Sequence, residues 1–248
     1  MSDRTILRIS GPDARDFLQG LVTNDVSKLD QGLVYAAMLT PQGKYRADFF
    51  LLPMGDAIGL DIASSLAPGI KQALTMYKLR SAVEIEETDR RVSRGLGTAP
   101  EGAFADPRDA RLGWRGYDGQ PGDANVDWDA LRVAAVIPES GVELTPDSYI
   151  LEMGFERLNG VDFKKGCFVG QEVVARMKHK TVLRKGLVQV AVDGSAPIGS
   201  EILAGDKPAG TLFTQAADAG LAYLRFDRAK GDMTAGDARV HWDTDTAE

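Results

Sequence analysis

The only cysteine of the chain, Cys167, lies in the stretch KKGCFVGQE at residues 164–172. Neighbouring lysines and a helix predicted to start after Gly170 both favour the thiolate form, so a reactive cysteine is chemically feasible. A cysteine nucleophile also needs a general base, and His179 lies at the far end of the same predicted helix. Free cysteines are most often small buried apolar side chains. The stretch alone therefore leaves a catalytic and a buried structural Cys167 both open.

The same stretch combines glycines with positive charge. Gly166 and Gly170 permit backbone conformations that other residues avoid, or the close approach of a ligand or another segment. The chain has a net charge of −7, yet residues 164–185 contain one acid, Glu172, and seven basic residues: Lys164, Lys165, Arg176, Lys178, Lys180, Arg184 and Lys185. This distribution indicates either a local anion site or the solvated face of a helix.

The elements that must position this stretch form an irregular order of helices and strands. Helices are predicted over residues 10–25, with Ser10 or Gly11 as the cap, and over residues 64–79, 126–141 and 171–180, while residues 148–163 are predicted to form a short helix and a loop. Strand-like runs at 33–39 and 45–52 flank the turn TPQGK, which predicts a hairpin, and further strands are predicted at 57–62 and 82–87. The Gly- and Pro-rich region 92–125 predicts two short strands around a loop. Helices mixed with antiparallel pairs are typical of the α+β class.

The C-terminal part of the chain has a different pattern. After Gly186, five short strand-like runs alternate with Gly, Pro and Asp turns, which predicts a small β-barrel or sandwich. We therefore place a domain boundary between an α+β region at 1–185 and a β domain at 186–248.

Composition excludes several classes of protein. One cysteine and two histidines leave no intrachain disulfide and no multi-cysteine metal site, so no metal or cluster is expected to be held by this chain alone. The net charge argues against general nucleic-acid binding. Because the N-terminus has no signal-peptide pattern and no apolar run approaches a membrane span, we expect a soluble protein of a reducing compartment. That compartment is the cytoplasm or, in a eukaryote, an organelle matrix.

Four segments together carry a family resemblance. They are FLQGLVTNDV (17–26), MLTPQGKYRAD (38–48), YKLRSAVEI (77–85) and KKGCFVGQEVVARM (164–177). They occur in the order found in the YgfZ-type folate-binding proteins, which are relatives of the aminomethyltransferase (T-protein) of the glycine cleavage system. The K-G-C-[FY]-x-G-Q-E motif of the YgfZ branch is matched at every position by residues 165–172. The segment AGTLFTQAADAGLAYLRF resembles the barrel domain of the same family.

The resemblance implies a fold and a ligand. It implies interlocked N-terminal α+β domains around a central cavity that binds tetrahydrofolate, with a C-terminal β-barrel beside them. It also implies a role in the assembly or repair of iron–sulfur clusters in a subset of enzymes, tRNA-modifying enzymes among them. The expected partners are folate and, transiently, assembly factors or client enzymes.

The resemblance also assigns candidate site residues. Asp48 falls near an aspartate of the T-protein that contacts the pterin and supports methylene transfer, although Ala47 replaces a second acid that is common there. The alternative for Asp48 is a strand-end residue paired with Lys44 or Arg46. Cys167 is a candidate functional residue, and the expected folate-binding residues are Asn24, Asp48, Lys165, Gly166, Gly170, Glu172 and Arg176. For Asn24 the alternative is loop capping.

Three hypotheses follow. The first is a folate-binding accessory protein for iron–sulfur enzymes. The second is a folate-dependent aminomethyltransferase-like enzyme, for which Asp48 is the motivation. The third is a non-enzymatic module that binds tRNA or a partner protein through the basic residues Lys178, Lys180, Arg184 and Lys185.

Overall fold

The computed structural model describes residues 4–243, and the chain divides into two compact units. The first unit comprises Met1–Val126 and Phe155–Ala175, and the second comprises Asp127–Gly154 and Arg176–Glu248. Each unit is therefore built from two separate segments of the chain. The domain boundary that the sequence predicts between residues 185 and 186 stays a prediction.

A five-stranded antiparallel sheet organises the first unit. Its strands run in the order β2-β3-β4-β1-β5. They span Arg4–Ser10 (β1), Val34–Leu39 (β2), Tyr45–Met54 (β3), Ala57–Ala63 (β4) and Glu84–Thr88 (β5). The predicted hairpin and the two later strands are confirmed. Strand β1, which pairs with both β4 and β5, was not predicted from the sequence, because polar residues interrupt its apolar run.

One face of this sheet is apolar and covered by helices. Helix α1 (Ala14–Gln19), helix α2 (Ala67–Lys78) and a 3-10 helix at Val26–Gln31 pack against it. Because alternate residues of a strand point to opposite faces, Leu7, Phe49 and Leu60 meet these helices, while their sequence neighbours face away. The predicted cap of α1 at Ser10 or Gly11 is wrong, since the helix begins after Asp13.

Two predictions about the irregular regions are also wrong. Region 92–125 contains three short strands, β6 (Ser93–Gly95), β7 (Phe104–Ala105) and β8 (Trp114–Gly116), which form a small sheet with β8 in the centre. Residues 150–159 form consecutive turns where the sequence analysis predicted a short helix. Gly154 and Asn159 adopt positive φ there, which a continuous helix does not allow.

The second unit contains a closed barrel. Its strands run in the order β10-β11-β12-β9-β14-β13, and β10 pairs with β13 to complete the circle. They span Lys185–Asp193 (β9), Ser200–Ala204 (β10), Lys207–Ala216 (β11), Ala219–Arg225 (β12), Met233–Ala235 (β13) and Ala238–His241 (β14). The three-residue strand β13 was not predicted from the sequence. The α+β class with a C-terminal β-barrel is confirmed.

Helix α3 (Trp128–Ala135) packs against the barrel through a buried polar group. The Arg132 guanidinium donates to the Glu143 carboxylate at 3.2 Å and to the Thr214 hydroxyl of β11 at 3.0 Å. Helix α4 (Gln171–Lys180) confirms the helix predicted after Gly170. Within residues 4–243, every helix is too short or too polar to cross a lipid bilayer.

Candidate functional site

Asp48 lies buried on the face of the five-stranded sheet that points away from α1 and α2. It pairs with Ala37 across the hairpin and is 5% exposed. The Tyr35 hydroxyl donates to its Oδ2 at 3.0 Å and the Tyr45 hydroxyl to its Oδ1 at 2.6 Å. Burial and the adjacent Asp48 raise the pKa of Tyr35 well above its usual value, so Tyr35 stays a donor.

A second buried carboxylate, Asp61, lies on the same face. It stands opposite Phe50 in the β3–β4 pair and is fully buried. Arg4 Nε donates to its Oδ1 at 2.6 Å, Arg115 Nη2 to its Oδ2 at 2.8 Å, and the Tyr117 hydroxyl to its Oδ2 at 2.9 Å. Burial alone would raise the pKa of Asp61, but Arg4 and Arg115 lower it to about 2.

A third carboxylate extends this cluster. Asp106 accepts two hydrogen bonds from Arg108, at 3.0 and 2.8 Å, and lies 3.7 Å from an Arg115 nitrogen. The guanidinium carbons of Arg108 and Arg115 stand 4.7 and 4.1 Å from the centre of the Phe50 ring, in the geometry of a cation–π contact. We call Arg4, Asp61, Asp106, Arg108, Arg115 and Tyr117 the arginine cluster.

The arginine cluster was not predicted from the sequence. The sequence signal for this cluster is Asp61, a single charged residue inside the apolar run AIGLDIA. Because an aspartate is rarely buried unless it is paired, a charge in such a run indicates buried partners. Arg108 and Arg115 lie in the Gly- and Pro-rich region, where no periodicity marks the buried side of the chain.

Asn24 joins strand β2 to the returning segment of the first unit. It is 3% exposed, and its Nδ2 donates to the carbonyls of Tyr35 at 2.8 Å and Asn159 at 2.6 Å. Its Oδ1 accepts from Lys28 Nζ at 3.0 Å, and Lys28 also pairs with Asp162. Both Asn24 and Asp48 therefore contact Tyr35. Folate binding by Asn24 stays a prediction.

Lys165 fixes the loop that carries Cys167. Its ammonium donates to the carbonyl of Gln19, the last residue of α1, and to that of Val22 at 2.7 Å. The Gln19 side-chain amide in turn donates a hydrogen bond to the Lys165 carbonyl at 3.2 Å. Burial lowers the pKa of Lys165 to about 8, against the opposing effects of the nearby carboxylates. This loop is therefore tied to the end of α1.

The two glycines of the motif act differently. At Gly170, where φ is +84°, an added Cβ would lie 2.7 Å from the Thr40 carbonyl oxygen, so this glycine lets the hairpin turn approach. At Gly166, where φ is +100°, an added Cβ would meet no atom within 4 Å. Cys167 between them is exposed, so its interpretation as a buried structural side chain is wrong.

The remaining predicted site residues lie on α4. Glu172 and Arg176 are both exposed, the first in the first unit and the second in the second unit. Across residues 4–243, no group of three or more His, Cys, Asp or Glu side chains has the arrangement needed to hold a metal ion.

Comparisons with known proteins identify relatives. Residues 184–246 match the family described as CAF17, C-terminal beta-barrel domain. The mitochondrial iron–sulfur cluster assembly factor IBA57 of Mus musculus is 30% identical over 94% of this chain and 78% of its own length. The Homo sapiens protein of the same name gives the same identity and the same coverage.

The fold also has a solved counterpart. The glycine cleavage system aminomethyltransferase T of Bartonella henselae superposes with a TM-score of 0.72 over 97% of this chain and 83% of its own, at 14% identity. The predicted aminomethyltransferase fold is therefore confirmed, whereas membership of the YgfZ branch stays a prediction. From its similarity to the mouse and human proteins along nearly its whole length, the chain belongs to the IBA57 family.

Proposed function

We propose that this chain is an accessory factor in the assembly or repair of iron–sulfur clusters. The observation that carries the proposal is the 30% identity to IBA57 of mouse and man over 94% of the chain. The partners in this role are assembly factors and client enzymes that bind transiently. tRNA-modifying enzymes are among the proposed clients.

Complementation tests the assembly role. The chain, fused to a mitochondrial targeting segment, is expressed in human cells depleted of IBA57, and the activities of iron–sulfur enzymes are measured against their protein levels. We expect activity per enzyme molecule to recover. Enzymes that stay inactive although the chain is folded and correctly located would contradict the proposal.

We further propose that tetrahydrofolate binds at the sheet face that carries Asp48. The pterin presents amino and ring N–H donors, and a buried carboxylate is a strong acceptor for such groups. Asp48 fits this role because it is buried on this face and hydrogen bonds from Tyr35 and Tyr45 hold its carboxylate in a fixed orientation. When bound, the folate would supply a carrier for one-carbon groups.

The other proposed folate ligands have less support from their contacts. Lys165 already donates to two backbone carbonyls, and Gly170 packs against the hairpin turn. Asn24, Gly166, Glu172 and Arg176 stay in the proposal as expected ligands. Calorimetric titration with tetrahydrofolate should give a dissociation constant of micromolar order or tighter, and the absence of both heat and a thermal shift would refute folate binding.

An aminomethyltransferase-like activity is the second candidate, favoured by the burial of Asp48 beside two tyrosine donors. In it, Asp48 and Cys167 are the proposed catalytic residues. The test reaction combines an aminomethyl-loaded lipoyl carrier protein with tetrahydrofolate. Release of ammonia that depends on the chain would support this activity, and no turnover would remove it.

The compartment is also part of the proposal. The mouse and human relatives are described as mitochondrial, which agrees with the organelle expected for a eukaryotic source and gives no support to the cytoplasm. We therefore favour a mitochondrial location in a eukaryotic cell, which imaging of the tagged chain would check.

A further inference from the structure

Exposed apolar side chains are grouped at the C-terminal end of α2. Met76 is 69% exposed, Tyr77 36% and Leu79 88%. A surface cavity of about 810 Å³ adjoins them, lined by Asp13 and residues 77–81. Single exposed apolar residues are ordinary, but a contiguous group marks a site of interaction. We call residues 76–80 the Leu79 surface.

The backbone holds Leu79 outward in an unusual conformation. Its φ and ψ are 42° and −99° at the position that ends α2, a region that a residue with a Cβ rarely adopts. Such a conformation persists only where the surrounding structure imposes it, and it is concentrated at functional positions. Folding stability alone gives no reason to place a large apolar residue there.

The segment after Leu79 is fixed by specific contacts. The Asp13 carboxylate accepts from the backbone N–H of Ala82 at 2.7 Å, and Val83 is 1% exposed in the core. A Cβ on Gly11 would lie 2.1 Å from the Ala82 carbonyl oxygen, so the two backbones are in close contact. The backbone that follows the Leu79 surface is therefore held in place at residues 82 and 83.

Two cations flank the apolar group. Lys78 and Arg80 lie on either side of Leu79, and neither forms an ion pair with any residue of the described chain. A partner that brings carboxylates to these cations would gain charge complementarity. A second copy docking through the same surface would bring two further cations into the interface, because a two-fold interface joins identical patches.

We propose that the Leu79 surface docks an acidic segment of a partner protein in cluster assembly. Apolar side chains of that segment contact Met76, Tyr77 and Leu79, while its carboxylates pair with Lys78 and Arg80. The inference rests on the proposed assembly role for the kind of partner. Its geometry rests on the exposed apolar group, the fixed segment and the flanking cations.

The test uses two labelled helical peptides with the same leucine face, one flanked by glutamates and the other by lysines. Fluorescence anisotropy measures their binding to the full chain at low and moderate salt. We expect the glutamate peptide to bind, more weakly as salt rises, and the lysine peptide not to bind. Equal binding of both peptides, or binding of neither, would overturn the proposal.

Variants locate the binding. We expect Leu79→Ser and the pair Lys78→Glu with Arg80→Glu each to weaken binding of the glutamate peptide at least tenfold. Ile198→Ser is the matched control, because Ile198 is an exposed apolar residue of the second unit, 61% exposed. It should change binding less than twofold. An effect of Ile198→Ser equal to that of Leu79→Ser would overturn the assignment.

A glycine variant separates docking from folding. Because glycine adopts positive φ without the Cβ penalty, Leu79→Gly should keep or raise the melting temperature and still weaken peptide binding. Sedimentation tests whether a second copy of the chain occupies the Leu79 surface instead. A wild-type dimer that dissociates in the Leu79→Ser variant would contradict an acidic partner.

The complementation assay distinguishes failure of this inference from failure of the assembly role. If the wild-type chain restores the enzymes, Ile198→Ser should also restore them and Leu79→Ser should restore them poorly. Full rescue by Leu79→Ser would refute the docking proposal and leave the assembly role standing. No rescue by the wild type would refute the assembly role, and the peptide titrations would then decide docking independently.

Discussion

The five-stranded sheet and the barrel are both antiparallel, but their buried faces differ in chemistry. The interior of the barrel is a cluster of apolar side chains such as Ile202, Leu212 and Leu224. The sheet buries Asp48 and Asp61 with tyrosines and arginines on one face. An apolar interior needs only matching shapes and volumes, whereas each buried charge needs its own partners. The difference favours the sheet face over the barrel interior as the site of the proposed function.

The largest expected effect comes from breaking the arginine cluster. Asp61→Asn removes the carboxylate that Arg4 and Arg115 share, and it leaves Asp106, 3.7 Å from Arg115 and already paired with Arg108, as the only carboxylate of the arginine cluster. We expect a loss of about 3–5 kcal/mol in the free energy of unfolding, measured by urea denaturation. Asp30→Asn is the control, since its pair with Arg15 is exposed and should cost about 0.5 kcal/mol or less. Equal losses would contradict the distinction between buried and surface charge.

The dependence of folding stability on pH tests the contribution of the Asp61 carboxylate in the wild-type chain. The pKa of Asp61 is about 2 in the folded chain against 3.8 for the free side chain. Its stabilising contribution is therefore present above about pH 4 and is lost as the pH falls through 2. That contribution is about 2 kcal/mol. Denaturation midpoints between pH 5 and 2 should fall less steeply in Asp61→Asn than in the wild type, and parallel curves would exclude Asp61 as the cause.

A smaller effect is expected in the loop of Cys167. Gly170→Ala adds a Cβ 2.7 Å from the Thr40 carbonyl oxygen at positive φ, so we expect a loss of about 2 kcal/mol in stability. Gly166→Ala is the matched comparison, because its added Cβ meets no atom within 4 Å. It should lose about 1 kcal/mol from backbone strain alone. A larger loss at Gly166 would contradict the close packing of Gly170 against the turn.

The smallest effect is expected in the barrel. Ile202→Val removes one methyl group from the apolar interior and should cost about 1 kcal/mol, read from the shift of the urea midpoint. Folate binding should stay within twofold of the wild type. A large loss of folate binding would show that the barrel interior is not merely structural.

Sequence reasoning recovered elements that have a strong local signal. The hairpin around TPQGK, helix α2 and helix α4 were all predicted, because apolar periodicity and turn residues mark them directly. Strand β1 was missed, because Arg4 and Arg8 interrupt its pattern and its place between β4 and β5 is decided by pairing partners remote in sequence.

The site was harder to predict than the fold. Asp48 was found by family resemblance, but its tyrosine partners Tyr35 and Tyr45 were not, since a strand pattern does not tell which side chains meet across a face. Arg108 and Arg115 come to Phe50 from a region without periodicity. Lys165 ties the loop of Cys167 to the end of α1 through Gln19, a contact between residues far apart in sequence that no local pattern predicts.

The most direct test of the functional face is a calorimetric titration of tetrahydrofolate into the wild type, Asp48→Asn and Ile202→Val, with each melting temperature measured in parallel. We predict that Asp48→Asn binds at least tenfold more weakly than the wild type while staying folded, and that Ile202→Val binds as the wild type does. Unchanged binding by a folded Asp48→Asn protein would contradict the assignment of the ligand to this face of the sheet.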